Sequence, residues 1–246
     1  MRSAKKTYEI DMLHGAILPK LLRFAVPLTL STMLQLLFNA ADIIVVGQFV
    51  GPQALAAVGS TSALINLIVN LFIGLSVGAN VLVAQYYGAK RDQDVNETVH
   101  TAVAISLLSG VFLVALGLLV TRPLLELMGT PDDVIDKSAI YMKIYFAGMP
   151  ATMLYNFGSA VLRAVGDTRR PLYFLTAAGV VNVVLNLFFV ISLNMDVAGV
   201  ALATVISQVI SAGLVFWCLV KSEGALKLRI RDLRISKVKL KRIAKI

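Results

Sequence analysis

Cysteine and charge are both scarce in this sequence. One cysteine, Cys218, is present among 246 residues, which excludes internal disulfides and any thiolate metal cluster. Charged residues make up 15% of the chain, hydrophobic residues make up 58%, and the mean hydropathy is +0.81. Soluble domains carry more charge and fewer apolar residues. The composition therefore indicates an integral membrane protein.

Sequence motifs for common catalytic chemistries are missing as well. The chain contains no Walker A sequence, no HExxH, no Gly-x-Ser-x-Gly and no Cys pair. The sequence therefore lacks the residues that these motifs supply for ATP hydrolysis, zinc catalysis and serine-nucleophile catalysis. Its two histidines, His14 and His100, are far apart in sequence, and a membrane aspartyl protease would need a second intramembrane acid beside Asp42. We therefore expect a protein that is not an enzyme and has no cofactor or metal, apart from Na⁺ or H⁺ as a coupling ion.

Six apolar segments, each long enough to cross a bilayer as a helix, follow a polar start that has no signal-peptide pattern. Their approximate bounds are 24–47, 61–84, 99–121, 138–161, 171–194 and 197–219. The predicted fold is an all-α integral membrane protein. Its predicted parts are an N-terminal segment (1–23), a six-helix transmembrane lobe (24–219) and a basic tail or inter-lobe linker (220–246).

Lys and Arg are distributed unequally between the two sides of the predicted helices. Twenty of the twenty-three lie before the first helix, after the second and fourth helices, or in the tail, whereas Arg122, Lys137 and Lys143 lie on the other side. Because basic residues concentrate in cytoplasmic loops, we expect a multi-pass protein of the cell membrane with both termini cytoplasmic. This asymmetry also accounts for the net charge of +9, so we expect no nucleic-acid partner.

The tail after Leu219 has its own pattern. Leu226, Leu228 and Ile230 alternate with basic residues, which predicts an extended, strand-like stretch before a short basic helix. Two interpretations of the basic charge are open: it is solvated, as in most charged loops, or it contacts anionic lipid. The sequence favours the first.

An acid lies inside the first predicted helix. Helical periodicity places Ser31, Gln35, Asn39 and Asp42 on one side, since they are four, four and three residues apart. An ionised Asp near the bilayer centre is disfavoured by roughly 2.5 to 3.5 kcal/mol, so this side should face protein or water. We interpret Asp42 as part of a functional site, and the alternative is that it reaches the membrane interface from one end of the helix.

Uncharged polar residues recur at helical spacing in three other predicted helices. They are Ser62, Asn66 and Asn70 in the second, Asn182 and Asn186 in the fifth, and Thr204, Gln208 and Ser211 in the sixth. Such groups either let helices pack closely or, together with Asp42, replace water around a cation or share a proton. Candidates for lining a substrate cavity are Gln35, Phe38, Asn39, Asn66 and Gln208.

With these motifs in order, the chain resembles the N-terminal half of a multidrug and toxic compound extrusion (MATE) transporter. The resemblance covers nearly the whole chain. It rests on Ala25-Val26-Pro27, on Asn39 to Gly47 (NAADIIVVG), on Ala84 to Ala89 (AQYYGA), on Leu162 to Pro171 (LRAVGDTRRP), on Asn182-x-x-x-Asn186 and on Gly199 to Thr204 (GVALAT).

The resemblance implies one lobe of a twelve-helix, two-lobe transporter that exports amphipathic, often cationic, organic compounds by cation-coupled alternating access. Asp42 resembles the first-helix acid of the N-terminal lobe, Asn182 and Asn186 the fifth-helix pair, and Thr204 the sixth-helix hydroxyl of its cation site. Some proton-coupled relatives have an acid at the position of Asn186 and a tyrosine at the position of Phe38. Their protonation network therefore differs from any that this chain can form, and Asp42 is left as the coupling charge.

Two other functions remain open at this point. One is a flippase of lipid-linked oligosaccharides in the same superfamily, although no Lys or Arg lies deep in a predicted helix to hold a pyrophosphate. The other is a structural or channel-forming six-helix subunit. The expected partners are membrane lipid, a small organic cation or drug, and a second six-helix lobe, either a C-terminal half or a copy of this chain. A weak echo of Lys20–Ala25 in Lys239–Ala244 agrees with a second lobe.

Overall fold

Eight α-helices make up most of the described chain, residue 10 and residues 15–246, in this computed structural model. They are α1 (Ile17–Val45), α2 (Pro52–Gly88), α3 (Asp92–Leu127), α4 (Asp132–Ala147), α5 (Met149–Ala164), α6 (Arg169–Leu187), α7 (Asp196–Lys221) and α8 (Lys237–Ile243).

Shorter helical turns extend or follow some of these helices. A π-helical turn continues α1 over Val46–Val50, and another continues α6 over Phe188–Ser192. Residue Gly51 then ends the first π turn with a φ of 118°, a value that glycine tolerates readily, and Pro52 opens α2. Two 3₁₀ turns, Gly224–Leu226 and Ile230–Asp232, lie between α7 and α8.

The predicted all-α membrane fold is confirmed, and the described residues contain no strand. Five of the described helices are long and apolar enough to cross a membrane: α1 and α6 with their π turns, α2, α3 and α7. The helices α1, α2 and α3 extend beyond the predicted segments, whereas α6 with its π turn and α7 match their predicted bounds to within two residues. Of the predicted N-terminal segment, residues 1–9 and 11–14 lie outside the described residues, and α1 begins at Ile17.

The prediction of one continuous fourth helix over 138–161 is wrong. Two helices of 16 residues, α4 and α5, meet at Gly148. Pro150 explains the break, since proline has no backbone N–H and its ring displaces the carbonyl of the preceding turn. Because α4 begins at Asp132, Lys143 lies in the second half of that helix and not at its start.

The predicted strand-like stretch in the tail is also only partly right. Lys227 and Arg229 have extended backbone angles, and Leu226 and Leu228 are buried as their alternation requires. However, Ile230 is 61% exposed and begins a 3₁₀ turn. The segment packs on helices, and the described residues offer no strand with which it could pair. The short basic helix predicted after it is confirmed as α8.

Glycines let the helices pack closely. A Cβ on Gly117 of α3 would overlap the ring of Phe146 in α4, and a Cβ on Gly158 of α5 would overlap Val215 in α7. Small residues at helix contacts are the usual means of association in a membrane, where apolar surface gives no driving force of its own. Around this core, α6 packs on α7, and α1 packs on α6 at the edge of the lobe.

Candidate functional site

The acid predicted from the sequence lies where α1 meets α6. Asp42 is half-buried, three residues before the end of α1 and just before the π turn at Val46–Val50. Isolated π-helical turns are frequent at functional sites, because they disturb the regular hydrogen-bond ladder. The second π turn, Phe188–Ser192, begins two residues after Asn186 in α6 and contacts the first one.

A chain of side-chain hydrogen bonds connects Asp42 to two other helices. The Nδ2 group of Asn186 donates to Oδ1 of Asp42 and, at 3.3 Å, to Oδ1 of Asn182 one turn earlier in α6. Nδ2 of Asn182 donates to Oγ1 of Thr204 in α7 at 3.4 Å, and the Thr204 hydroxyl donates to the Val200 carbonyl at 3.0 Å. The four residues predicted as a cation-coupling site are therefore brought together by three helices.

The side-chain amide groups of Asn182 and Asn186 both donate hydrogen bonds, whereas one amide oxygen accepts none. Oδ1 of Asn186 is buried and has no hydrogen-bond partner in the described part of the chain. A buried amide oxygen without a partner costs free energy on the order of 1–3 kcal/mol. It lies on the residue that contacts Asp42, so a proton or a cation at this place would supply the missing partner.

The donor set fits a hard cation with oxygen ligands. Asp42 supplies carboxylate oxygen, Asn182 and Asn186 supply amide oxygens, and Thr204 supplies a hydroxyl oxygen, the ligand types that hard cations prefer. Within residues 15–246 Asp42 forms no ion pair, and no cluster of three or more His, Cys, Asp or Glu is present. One carboxylate with neutral oxygens suits a monovalent ion or a proton better than a divalent metal.

Two tyrosines near Asp42 were missed by the sequence analysis. Tyr141 and Tyr145 lie one turn apart on α4, their ring centroids are 6.1 Å apart, and both hydroxyl groups are within electrostatic range of the Asp42 carboxylate. The four-residue spacing of two tyrosines in an apolar helix was the signal available in the sequence. It was not followed because neither residue repeats the Asn, Gln and Ser pattern of the other helices.

Phe38 has a defined role in the packing of α1. A Cβ on Gly179 of α6 would overlap the Phe38 ring, so the ring lies directly against the backbone of α6. Phe38 is one helical turn before Asp42, and both side chains therefore face α6. The contact sets the distance between the two helices that carry Asp42 and Asn186.

The remaining cavity candidates lie outside the hydrogen-bond chain. Gln35 and Asn39 are exposed, as is Asn66 on α2. The polar residues predicted on one side of α1 therefore do not share one environment. The helix α6 covers Asp42, whereas Gln35 and Asn39 remain on the open surface of the lobe. Gln208 is half-buried one turn after Thr204, and its Oε1 has no partner among the described residues.

Comparison with known proteins settles the family. The MatE family model matches residues 27–188, which is more than half of the chain. The chain belongs to the MatE family. The matched region contains Asp42, Asn182 and Asn186, and Thr204 lies beyond it.

Two curated relatives illustrate this MatE membership. The chain is 36% identical over 190 residues to the probable multidrug resistance protein YoeA of Bacillus subtilis, an alignment that covers 76% of this chain and 41% of YoeA. It is 27% identical over 198 residues to a FAD transporter of Shewanella oneidensis, with 79% and 44% of the two chains covered. The chain thus spans less than half the length of these relatives.

A solved structure shows the same MatE fold. It is the outward-facing conformation of a multidrug resistance MATE family transporter of the MOP superfamily, with a TM-score of 0.89 and 28% sequence identity. The match covers 98% of this chain and 54% of that one. The architecture predicted from six apolar segments therefore corresponds to about half of a known transporter.

Proposed function

We propose that this chain forms one lobe of a cation-coupled antiporter that exports amphipathic organic compounds from the cell. The observation that carries the proposal is the hydrogen bond from Asn186 to Asp42, which joins α1 to α6 beside a buried amide oxygen that lacks a partner. The multidrug-resistance names of a curated relative and of a solved structure support the export of drugs. We place the lobe in the cell membrane with both termini cytoplasmic.

Coupling follows from the charge of Asp42. Burial disfavours the ionised carboxylate, and a proton or Na⁺ compensates for it, so ion occupancy changes the free energy of the arrangement of α1 and α6 around it. Because α1 packs at the edge of the lobe and mainly on α6, it is the helix that can move with the least disruption of the core. The bound ion and the exported compound then compete through the position of α1.

The substrate class follows from the open surface beside the site. Gln35 and Asn39 present neutral polar groups among exposed apolar residues of α1 such as Leu36, and Asn66 does so beside Leu67 on α2. A surface of this kind suits amphipathic molecules, which need both apolar contact and a few hydrogen bonds. We propose that the substrate lies between this surface and a second six-helix lobe, either a C-terminal half or a copy of this chain.

A second candidate is export of an anionic, nucleotide-bearing compound. The Shewanella relative is named a FAD transporter, and Lys143 presents an exposed basic group on α4, inside the predicted fourth membrane segment. Competition assays separate the two classes: FAD should inhibit uptake of a fluorescent organic cation only if both compounds use the same cavity.

The decisive experiment is transport in inverted vesicles at a fixed membrane potential. Uptake of a fluorescent organic cation is measured with a sodium gradient alone, a proton gradient alone, and no gradient. We expect one ion gradient to drive uptake, and the Asp42→Asn variant to lose it. Ion flux without substrate would identify a channel instead, and uptake of a pyrophosphate-linked lipid would identify a flippase. Equal uptake in all three conditions would exclude coupling.

A further inference from the structure

The helix α8 has one face bound to the lobe. Lys239 and Ile243, one turn apart, are 4% and 2% exposed. Nζ of Lys239 forms an ion pair with Asp94 of α3 and lies 4.2 Å from the ring centroid of Tyr86 in α2. Nη1 of Arg242 donates to the Tyr86 hydroxyl at 2.5 Å. These contacts fix the rotation of α8 about its axis.

The segment leading to α8 is attached as well. The backbone N–H of Arg229 donates to Nε2 of His100 at 3.1 Å, and the N–H of Ser236 donates to Oγ1 of Thr101 at 3.3 Å. The side-chain amide of Asn96 donates to two further carbonyls of the tail. The tail is therefore a built part of the lobe surface, and the side chains on its outer face have defined directions.

That outer face carries a stripe of lysines. Lys237 and Lys241 lie on α8, Lys245 lies in the turn that follows it, and the three exposed residues are spaced at intervals of four. Within the described residues their side chains form no ion pair or hydrogen bond. Val238, 62% exposed, and Leu240, 36% exposed, flank the stripe. The surface is thus cationic with an apolar margin on each side.

The position of α8 along α2 and α3 is set by contacts at both of its ends. The Ile243 carbonyl packs against Gly78 of α2, and the Ser236 N–H donates to Oγ1 of Thr101 in α3. The apolar segments predicted from the sequence cover 61–84 in α2 and 99–121 in α3, so these contacts lie six residues inside the first segment and two residues inside the second. The helix therefore lies against the ends of two predicted membrane helices that face the predicted cytoplasmic side.

We propose that the outer face of α8 and of the turn after it (Lys237, Lys241 and Lys245 with Val238 and Leu240) is a docking surface for anionic phospholipid headgroups of the cytoplasmic leaflet. Charge complementarity carries the assignment, since the tail from Lys221 onwards contains ten Lys and Arg and only two acids. Basic clusters beside a membrane helix attract anionic lipid, and long lysine side chains lay their apolar stems along the interface. The proposal does not depend on the transported substrate.

The test uses the whole chain reconstituted in phosphatidylcholine containing spin-labelled phosphatidylglycerol or spin-labelled phosphatidylcholine. The fraction of immobilised label gives the relative association of each lipid. We expect the wild-type chain to prefer phosphatidylglycerol. In the K237Q/K241Q/K245Q variant, the ratio of phosphatidylglycerol to phosphatidylcholine association should fall by up to about fivefold for each lysine replaced, at low ionic strength. High salt should reduce the wild-type preference and leave the variant nearly unchanged.

A matched control separates a docking surface from net charge. Replacing Arg122, Lys137 and Lys143 with Gln removes the same number of positive charges outside the tail. This control should keep the lipid preference. Equal losses in the two triple variants, or a wild-type preference that salt does not change, would overturn the proposal. An unchanged preference combined with an altered oligomeric state would also overturn it, in favour of a protein partner.

Discussion

The side-chain amide of Asn186 in α6 donates a hydrogen bond to the carboxylate of Asp42 in α1, although the two residues lie 144 positions apart. In the described residues Asp42 belongs to no cluster of three or more His, Cys, Asp or Glu. Removal of either partner should therefore have separable effects: loss of Asp42 removes the charge that needs a counter-ion, and loss of Asn186 removes a ligand while the charge stays.

We predict that Asp42→Asn abolishes ion-driven uptake while the amount of inserted protein stays the same or rises. An amide does not need a compensating cation, and a neutral side chain is less costly to insert into a membrane than an ionised carboxylate. The measurement is uptake of a fluorescent organic cation in inverted vesicles, normalised to membrane-inserted protein. Asp133→Asn, which removes an exposed acid at the start of α4, is the control and should transport normally. Full coupled uptake by the Asp42 variant would refute the assignment.

We predict that, with Na⁺ as the coupling ion, Asn186→Ala weakens the apparent ion affinity more than Asn182→Ala does. Asn186 contacts Asp42 and carries a buried amide oxygen without a partner, so its loss removes an oxygen ligand worth on the order of 1–3 kcal/mol, roughly a fivefold to hundredfold change in affinity. Asn182 contacts Asn186 and Thr204 but not Asp42, so its loss should weaken the apparent ion affinity only several-fold. The readout is the ion-concentration dependence of uptake, with Asn70→Ala on the exposed side of α2 as the control. Identical curves for both variants and the wild type would move the ion site away from α6.

Helical periodicity drew attention to polar residues in apolar helices, and the family resemblance selected Asp42, Asn182, Asn186 and Thr204 among them. Neither predicted the geometry in which these residues meet. Which partner each one contacts depends on how α1, α6 and α7 are arranged, and that arrangement comes from packing between distant segments. The position of α6 also explains why Gln35 was grouped with Asp42. The residues of α1 alone do not show that α6 covers Asp42 and leaves Gln35 exposed.

Local irregularities were harder to predict than helices. Pro150 breaks the fourth membrane segment into α4 and α5, whereas Pro27 leaves α1 uninterrupted. A proline removes one hydrogen bond in both cases, and the neighbouring helices decide whether the chain bends. The π turn after Asp42 is similar, because it needs a tertiary contact to hold the extra residue and no residue type identifies it.

Gly179→Ala should disrupt the site without touching any of its polar residues. A Cβ at this position overlaps the Phe38 ring, so α1 must move away from α6 or Phe38 must leave its position. Overpacking of this kind costs about 1–3 kcal/mol. We expect a lower unfolding temperature and a weaker ion response. Gly213→Ala in α7, where a Cβ would meet nothing within 4 Å, is the matched control and should be neutral or stabilising. Equal stability of both variants would show that the Phe38 contact is adaptable.

The attachment of α8 can be tested through the ion pair between Lys239 and Asp94. Asp94→Asn leaves the buried lysine without its nearest carboxylate and also removes a partner of Arg91, so the tail should detach more often. The double variant with Lys239→Met should recover much of the attachment, because a methionine fits beside Tyr86 without a charge. Ten basic residues make trypsin a sensitive probe of the tail, and the rate of cleavage after residue 220 is the measurement. We expect cleavage to be fastest in Asp94→Asn, slower in the double variant and slowest in the wild type. If the double variant were cleaved as fast as Asp94→Asn, the remaining hydrogen bonds at His100 and Thr101 would be too weak to hold the tail, and the fixed orientation of the lysine stripe would depend on this ion pair alone.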